Sequence, residues 1–179
     1  QWVTIEDGHL VDIGGGSLEV IHIRGREPVS VQSVPLGALY AAERYLPDDP
    51  PSPRQVRALR KAVGKMIRID EQLPVLLGTG GAVRNLARIH RLRASYPLRR
   101  LHGMEIPARD LSRMSRLLTA PQATRRKMAG VSPNRVETLH AAAIVIDEVA
   151  RLTGAANLTV AGQGLREGLL WQVIRPFEP

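Results

Sequence analysis

The sequence predicts an α/β fold: a mixed five-stranded sheet with helices on its faces, in the order βββαβα, a helical insertion, then βα. Three observations predict it. The first 36 residues are rich in β-formers, with period-two alternation and polar or glycine turns between the runs, which makes an antiparallel meander of three strands. Two later apolar runs are each followed by glycines and then by helical spacing, so they join the sheet through helices and lie parallel. The 179 residues, 44% of them apolar and only 3% aromatic, suit a single domain over residues 1–179 with one aliphatic core.

The elements follow in order. "LVDI" (10–13) is a short buried run. "SLEVIHI" (17–23) alternates, with Ser17, Glu19 and Ile21 on one face. "RGRE" (24–27) is a polar turn and "VSVQSVPL" (29–36) a third strand. "GALYAAERYL" (37–46) reads as a short helix, closed by the proline-rich break "PDDPPSP" (47–53). "RQVRALRKAVGKMIRIDEQL" (54–73) places Val56, Leu59, Val63, Met66 and Ile67 at helical spacing. "PVLLG" (74–78) is a buried strand, and the helix after it starts on glycines.

The block from about 95 to 153 is a helical insertion, with short basic helices at "LSRMSRLL" and "QATRRKM". A long helix spans 132–154, with Ser132 as N-cap, Pro133 in the first turn and Gly154 at its end. On it Glu137 and His140 stand three residues apart and are placed to pair. "NLTVAG" is the last strand and "GLREGLLWQVI" the last helix.

Composition excludes several classes. Without cysteine there is neither a disulfide framework nor a cysteine zinc site, which fits a cytoplasmic protein. No apolar run reaches the roughly 18 residues of a membrane span, so no membrane partner is expected. The net charge of +8 is concentrated in arginines between Arg84 and Lys127, a field that attracts polyanions. A solvated basic surface is the competing reading. Nucleic acid is disfavoured, because aromatic platforms for stacking bases are missing.

Three glycine turns carry the chemistry. In "LVDIGGGSLEV", Gly14, Gly15 and Gly16 form a hairpin turn whose backbone N–H groups an anion can approach, with Ser17 adding a hydroxyl. Asp12 and Glu19 flank it, and two acids beside a phosphate need an intervening cation; a magnesium ion with its waters supplies one. A mere tight bend is the rival reading. In "LLGTGGAVRNL", Gly78, Thr79, Gly80 and Gly81 open a helix whose N-terminus favours an anion, with Arg84 one turn along. "VAGQGLREGLL" repeats the pattern with Arg166. All three turns are expected at one end of the sheet, where open α/β folds bind ligands.

Five segments, "VDIGGGSLEV", "SVPLGAL", "LLGTGGAVRNLARI", "MAGVSPNRVETLHAAAIVI" and "GLREGLL", resemble the exopolyphosphatase / guanosine pentaphosphatase (Ppx/GppA) family in order and approximate spacing. The resemblance implies a ribonuclease H-like domain of the actin, Hsp70 and sugar-kinase superfamily, and the chain looks like the second of two such domains. It implies Mg2+-dependent hydrolysis of terminal phosphoanhydride bonds in inorganic polyphosphate or guanosine pentaphosphate. By the same resemblance Asp12, Gly14 and Glu19 match the family's second phosphate and metal motif, with Asp12 and Glu19 as catalytic and metal-binding residues. The expected partners are the substrate and an N-terminal domain of the same protein, which would carry the first phosphate motif and the glutamate that activates water; a homodimer stays open. Glu137 stands where the family more often has Asp. The alternative function is a non-catalytic module that binds polyphosphate or an alarmone.

Overall fold

A computed structural model describes residues 5–162. Its single sheet has the order β3-β2-β1-β4-β6-β5. Strands β1 (Gly8–Ile13), β2 (Leu18–Arg24) and β3 (Glu27–Val34) form the predicted antiparallel meander. Strands β4 (Val75–Thr79) and β6 (Asn157–Val160) add to β1 in parallel, as their helical connections require. The strand count corrects the expectation of five. A sixth strand, β5 (Glu105–Pro107), lies inside the block read as purely helical and pairs antiparallel with β6 at the sheet edge. Three residues carry no readable alternation; pairing with β6 makes them a strand.

Among the described residues the α-helices are α1 (Ala38–Tyr45), α2 (Pro53–Met66), α3 (Gly80–Arg93), α4 (Ala108–Leu117), α5 (Gln122–Lys127) and α6 (Leu139–Thr153), and the last predicted helix, "GLREGLLWQVI", lies outside them. Helix α2 starts on a capping box, in which the Ser52 hydroxyl accepts from the Gln55 amide and the Gln55 side chain accepts from the Ser52 amide. It ends at Met66 rather than running to Leu73. Arg68 instead exchanges two backbone hydrogen bonds with the Gln32 side chain on β3, at 2.7 and 2.9 Å, which holds the chain extended.

Helix α6 begins at Leu139, seven residues later than the local signals indicate. Pro133–Arg135 form one turn of 3-10 helix, and the Ser132 side chain does not cap it. The predicted Glu137–His140 pair is absent. Glu137 is exposed and accepts from Gln122 Nε2 at 3.2 Å, whereas His140 is buried. The His140 imidazole is held down to about 4 by burial and then by Arg125, against a weaker pull from Asp49. At its other end α6 closes on Gly154 with φ 71°, as expected.

The core lies between the sheet and a helical layer centred on α6, whose Ala141 to Ile146 are fully buried. The side chains of Val11, Val20, Leu76, Leu158 and Val160 point into it. Residues that alternate with these, including Leu10, Asp12, Glu19 and Ile21, sit on the opposite, more open face. Among the described residues no helix is long and apolar enough to cross a membrane.

Candidate active site

The Gly14–Ser17 turn is built by its neighbours. Gly14 N–H donates to the Ser17 carbonyl at 3.0 Å and closes the hairpin. The carbonyls of Gly14, Gly15 and Gly16 then accept from the first amides of α1: Ala38 to Gly14 at 2.8 Å, Leu39 and Tyr40 to Gly15 at 2.9 and 3.2 Å, and Gly37 to Gly16 at 3.1 Å. These are the donors that a helix N-terminus leaves without partners. In a planar trans peptide the N–H points opposite to the C=O. With three successive carbonyls turned onto α1, the N–H groups of Gly15, Gly16 and Ser17 point away from it. None of the three donates to a protein acceptor among the described residues. The sequence reading counts the Gly14 amide among the anion donors; the structure removes it, because that amide is spent within the turn.

The acids stand beside this cradle. Asp12 and Glu19 are directly opposite across β1 and β2, so they share a face. The row continues on both sides, with Ser33 opposite Glu19 and Thr79 opposite Asp12. Ser33 Oγ donates to Glu19 Oε1 at 3.0 Å. Burial raises the Asp12 carboxyl above its ordinary value and the Glu19 charge raises it further, while Arg84 and the Ile13 amide pull it down. Arg84 is exposed on the first turns of α3.

The second glycine turn meets the first at Asp12. Gly80 has φ 90°, and a Cβ there would stand 2.6 Å from Asp12 Oδ1, so the start of α3 rests on the carboxylate. The N–H groups of a first helical turn at this point add positive potential. Gly81 is covered by the Arg135 guanidinium. Gly78 belongs elsewhere: a Cβ there would press on Leu158 Cδ1 at 2.8 Å and Val83 Cγ1 at 3.0 Å, so it serves core packing on the other face. Of the third turn, Gly162 donates to His102 Nδ1 at 3.0 Å, and Arg166 lies outside the described residues.

Arg135 was not legible as a site residue. A loop tied to α3 delivers it: Asn85 Nδ2 donates to the Gly130 carbonyl at 2.5 Å, Asn85 Oδ1 accepts from Ser132 N–H at 3.0 Å, and Arg88 donates to Ser132 Oγ at 2.8 Å. Gly130, with φ 90°, lets the loop approach to where a Cβ would stand 3.0 Å from Ile89 Cα. The only sequence signal is the buried asparagine in an otherwise apolar helix face. Gly37 likewise carries no sequence signal of its own beyond the "SVPLGAL" motif. A Cβ there would stand 2.5 Å from the backbone of Gly15 and Gly16, so it is the floor of the turn.

The arrangement can hold an oxyanion on three amides, with one pair of hard-oxygen donors for a cation beside it. Among the described residues no set of three or more His, Asp or Glu side chains is placed to hold one ion, and Asp12 and Glu19 stand side by side as a pair of carboxylates. A model of the Ppx/GppA phosphatase family matches residues 2–176. The chain belongs to the Ppx/GppA phosphatase family. It is 32% identical over 180 residues to Exopolyphosphatase 1 of Mycobacterium tuberculosis, covering 95% of this chain and 52% of that protein. It is 27% identical over 173 residues to Exopolyphosphatase 2 of the same organism, covering 89% and 53%. The chain thus spans about half the length of these relatives. The fold matches the crystal structure of the Aquifex aeolicus Ppx/GppA family member with a TM-score of 0.86 at 23% identity, over 97% of this chain and 57% of that one. An exopolyphosphatase from Cytophaga hutchinsonii matches with a TM-score of 0.84 at 22% identity, over 97% and 59%. The mixed sheet is therefore that of the Ppx/GppA proteins, an actin-like ATPase fold.

Proposed function

We propose that this chain supplies the second phosphate- and metal-binding half of a site that hydrolyses terminal phosphoanhydride bonds, in inorganic polyphosphate or guanosine pentaphosphate. The observation that carries the reading is the pairing of three outward amides at Gly15–Ser17 with the side-by-side carboxylates of Asp12 and Glu19. The amides bind oxygens of the terminal phosphoryl group, and the Ser17 hydroxyl adds a donor. The α3 N-terminus, Arg84 and Arg135 offset charge on the same group. Phosphoryl transfer depends on such positioning and neutralisation rather than on covalent help from the protein.

Asp12 and Glu19 suit Mg2+, which binds through one or two carboxylates together with substrate oxygens and waters. The acid–acid repulsion that raises the Asp12 carboxyl is relieved by a cation between the two. The ion, when bound, neutralises charge on the phosphoryl oxygens. Glu19 is oriented for it by Ser33 Oγ, and Asp12 is held in place by the approach of Gly80.

The half-site reading is supported by relatives about twice as long and by the two-acid ligand set. A second domain, from outside this chain, would complete the site and supply the base for water. The reaction would be cytoplasmic, in line with a cysteine-free chain. The test is phosphate release by the full-length protein. Asp12→Asn and Glu19→Gln should each lower it by roughly a hundredfold or more; unchanged rates in both would remove the assignment. Tight binding of polyphosphate without release, by a protein whose second domain is present, would favour the non-catalytic binding module instead.

A further inference from the structure

Helices α3 and α4 enclose a cleft that the proposed phosphate site does not use. A polar compartment of about 410 Å3 is lined by His90, Arg93 and Ala94 at the end of α3 and by Asp110, Arg113 and Met114 on α4. An apolar compartment of about 130 Å3 lies among Ile89, Met114, Leu117, Leu118, Met128 and Ala129. Arg93 and Met114 line both, so the two compartments adjoin.

The polar compartment carries an excess of positive charge. Arg93 is exposed and has no acidic partner among the described residues. Arg113 shares Asp110, at 3.1 Å. Two cations against one acid leave a single positive charge, and His90 adds an imidazole. The carbonyls at a helix C-terminus repel an anion. Here they are occupied, because those of His90, Arg91 and Leu92 accept from the amides of Ala94, Tyr96 and Ser95.

The apolar compartment has a packed floor and an open rim. Ile89, Met114 and Leu118 are buried, whereas Leu117 is 41% exposed and leaves apolar surface for a ligand to cover. Met114 and Met128 are flexible and polarizable, which suits them to line a site that takes an alkyl group. The wall formed by Met128 and Ala129 is fixed in advance, since the Gly130 carbonyl next to it accepts from Asn85.

We propose that this cleft binds an amphipathic monoanion, an alkyl carboxylate whose head lies between Arg93 and Arg113 and whose tail lies among Met114, Leu117 and Met128. An arginine fork matches a carboxylate, and one excess charge matches one negative head. A polyphosphate gains nothing from an apolar compartment, and a single excess charge does not neutralise it. Arg93 stands about 18 Å from Gly81 along α3, at a rise of about 1.5 Å per residue, so the site is separate from the phosphate cradle and stands without it.

Calorimetric titration of the full-length protein with butyrate, hexanoate and octanoate tests the proposal. Affinity should rise about fourfold per added methylene. Octanoate should bind about tenfold tighter than the neutral octanamide, and Arg93→Gln should remove that advantage. Leu117→Asn, at an exposed position that should leave the fold intact, should flatten the dependence on chain length. Equal affinity for octanoate and octanamide overturns the proposal, as does equal affinity along the series. So does the absence of binding at millimolar octanoate, or octanoate binding that neither variant changes. Displacement of octanoate by tripolyphosphate at equal concentration also overturns it, because the cleft would then be an ordinary basic surface.

Discussion

The two glycine turns that meet at Asp12 use glycine for opposite reasons. At Gly15 and Gly16 a Cβ would meet nothing within 4 Å, and neither has a backbone conformation closed to other residues. At Gly78 and Gly80 a Cβ would strike side chains at 2.8 and 2.6 Å. The second turn is glycine because the protein is packed against it, whereas nothing within the protein requires the missing side chain at Gly15 or Gly16. Crowding marks structure, whereas the open turn leaves its three bare amides accessible, as the proposed phosphate site requires.

The comparison breaks most severely at Gly37, where the open turn rests on its support. A methyl there must push the Gly15 and Gly16 backbone off the α1 amides. Gly37→Ala should cost about 3 kcal/mol of stability in urea unfolding, at the upper end of overpacking effects, and should abolish phosphate binding with it. Gly80→Ala comes next. Its φ of 90° is strained for alanine and Asp12 must move, so a loss of about 2 kcal/mol is expected. Gly81→Ala sharpens the contrast. It meets only the end of the flexible Arg135 side chain, so the stability change should stay within about 1 kcal/mol.

These differences also explain what was legible. The two acids were legible as flanking the turn, but their pairing was not: a three-glycine turn would set Asp12 against Leu18, and it is Ser17 as a fourth turn residue that puts Asp12 opposite Glu19. The meander was readable from its period-two alternation and turns, and the parallel strands from their helical connections. Arg135 was not, because its position depends on Asn85 binding a loop 45 to 47 residues away. That clamp also delays the start of α6: "SPN" carries cap signals, but Ser132 donates its N–H to Asn85 Oδ1 and accepts from Arg88 at its hydroxyl, which engages it at a separate 3-10 turn. Strand β5 depends wholly on its partner.

Asp12 touches both turns, and its titration reports its burial and the charge of Glu19 beside it. Burial and Glu19 raise its carboxyl, so the folded state holds the proton more tightly than the unfolded chain. Folding therefore loses stability as the pH climbs from the ordinary aspartate value of 3.8 through the raised folded value, and the deficit is complete above that. In metal-free buffer at neutral pH, Asp12→Asn should raise the urea midpoint, and the gain should vanish below about pH 4. Added Mg2+ should stabilise the parent chain and leave the variant unmoved. A variant less stable than the parent at neutral pH would mean that Asp12 is already neutralised by protein groups.

The smallest expected change in stability is the one that decides the comparison. Gly15→Ala places a methyl in open space, on a backbone that accepts it, so unfolding should shift by no more than about 0.5 kcal/mol. If the turn is glycine only to bend, phosphate binding should be equally untouched. If the bare amides are the site, the methyl stands where an oxyanion must approach. Loss of one charge-assisted hydrogen bond, on the order of 1.5–3 kcal/mol, would then weaken inorganic phosphate by about tenfold or more. Calorimetric titration of the full-length protein with phosphate, beside a urea melt of the same sample, reads both quantities. A variant that keeps its stability and loses its phosphate ties the openness of Gly15 to ligand binding, because no packing defect can produce that combination.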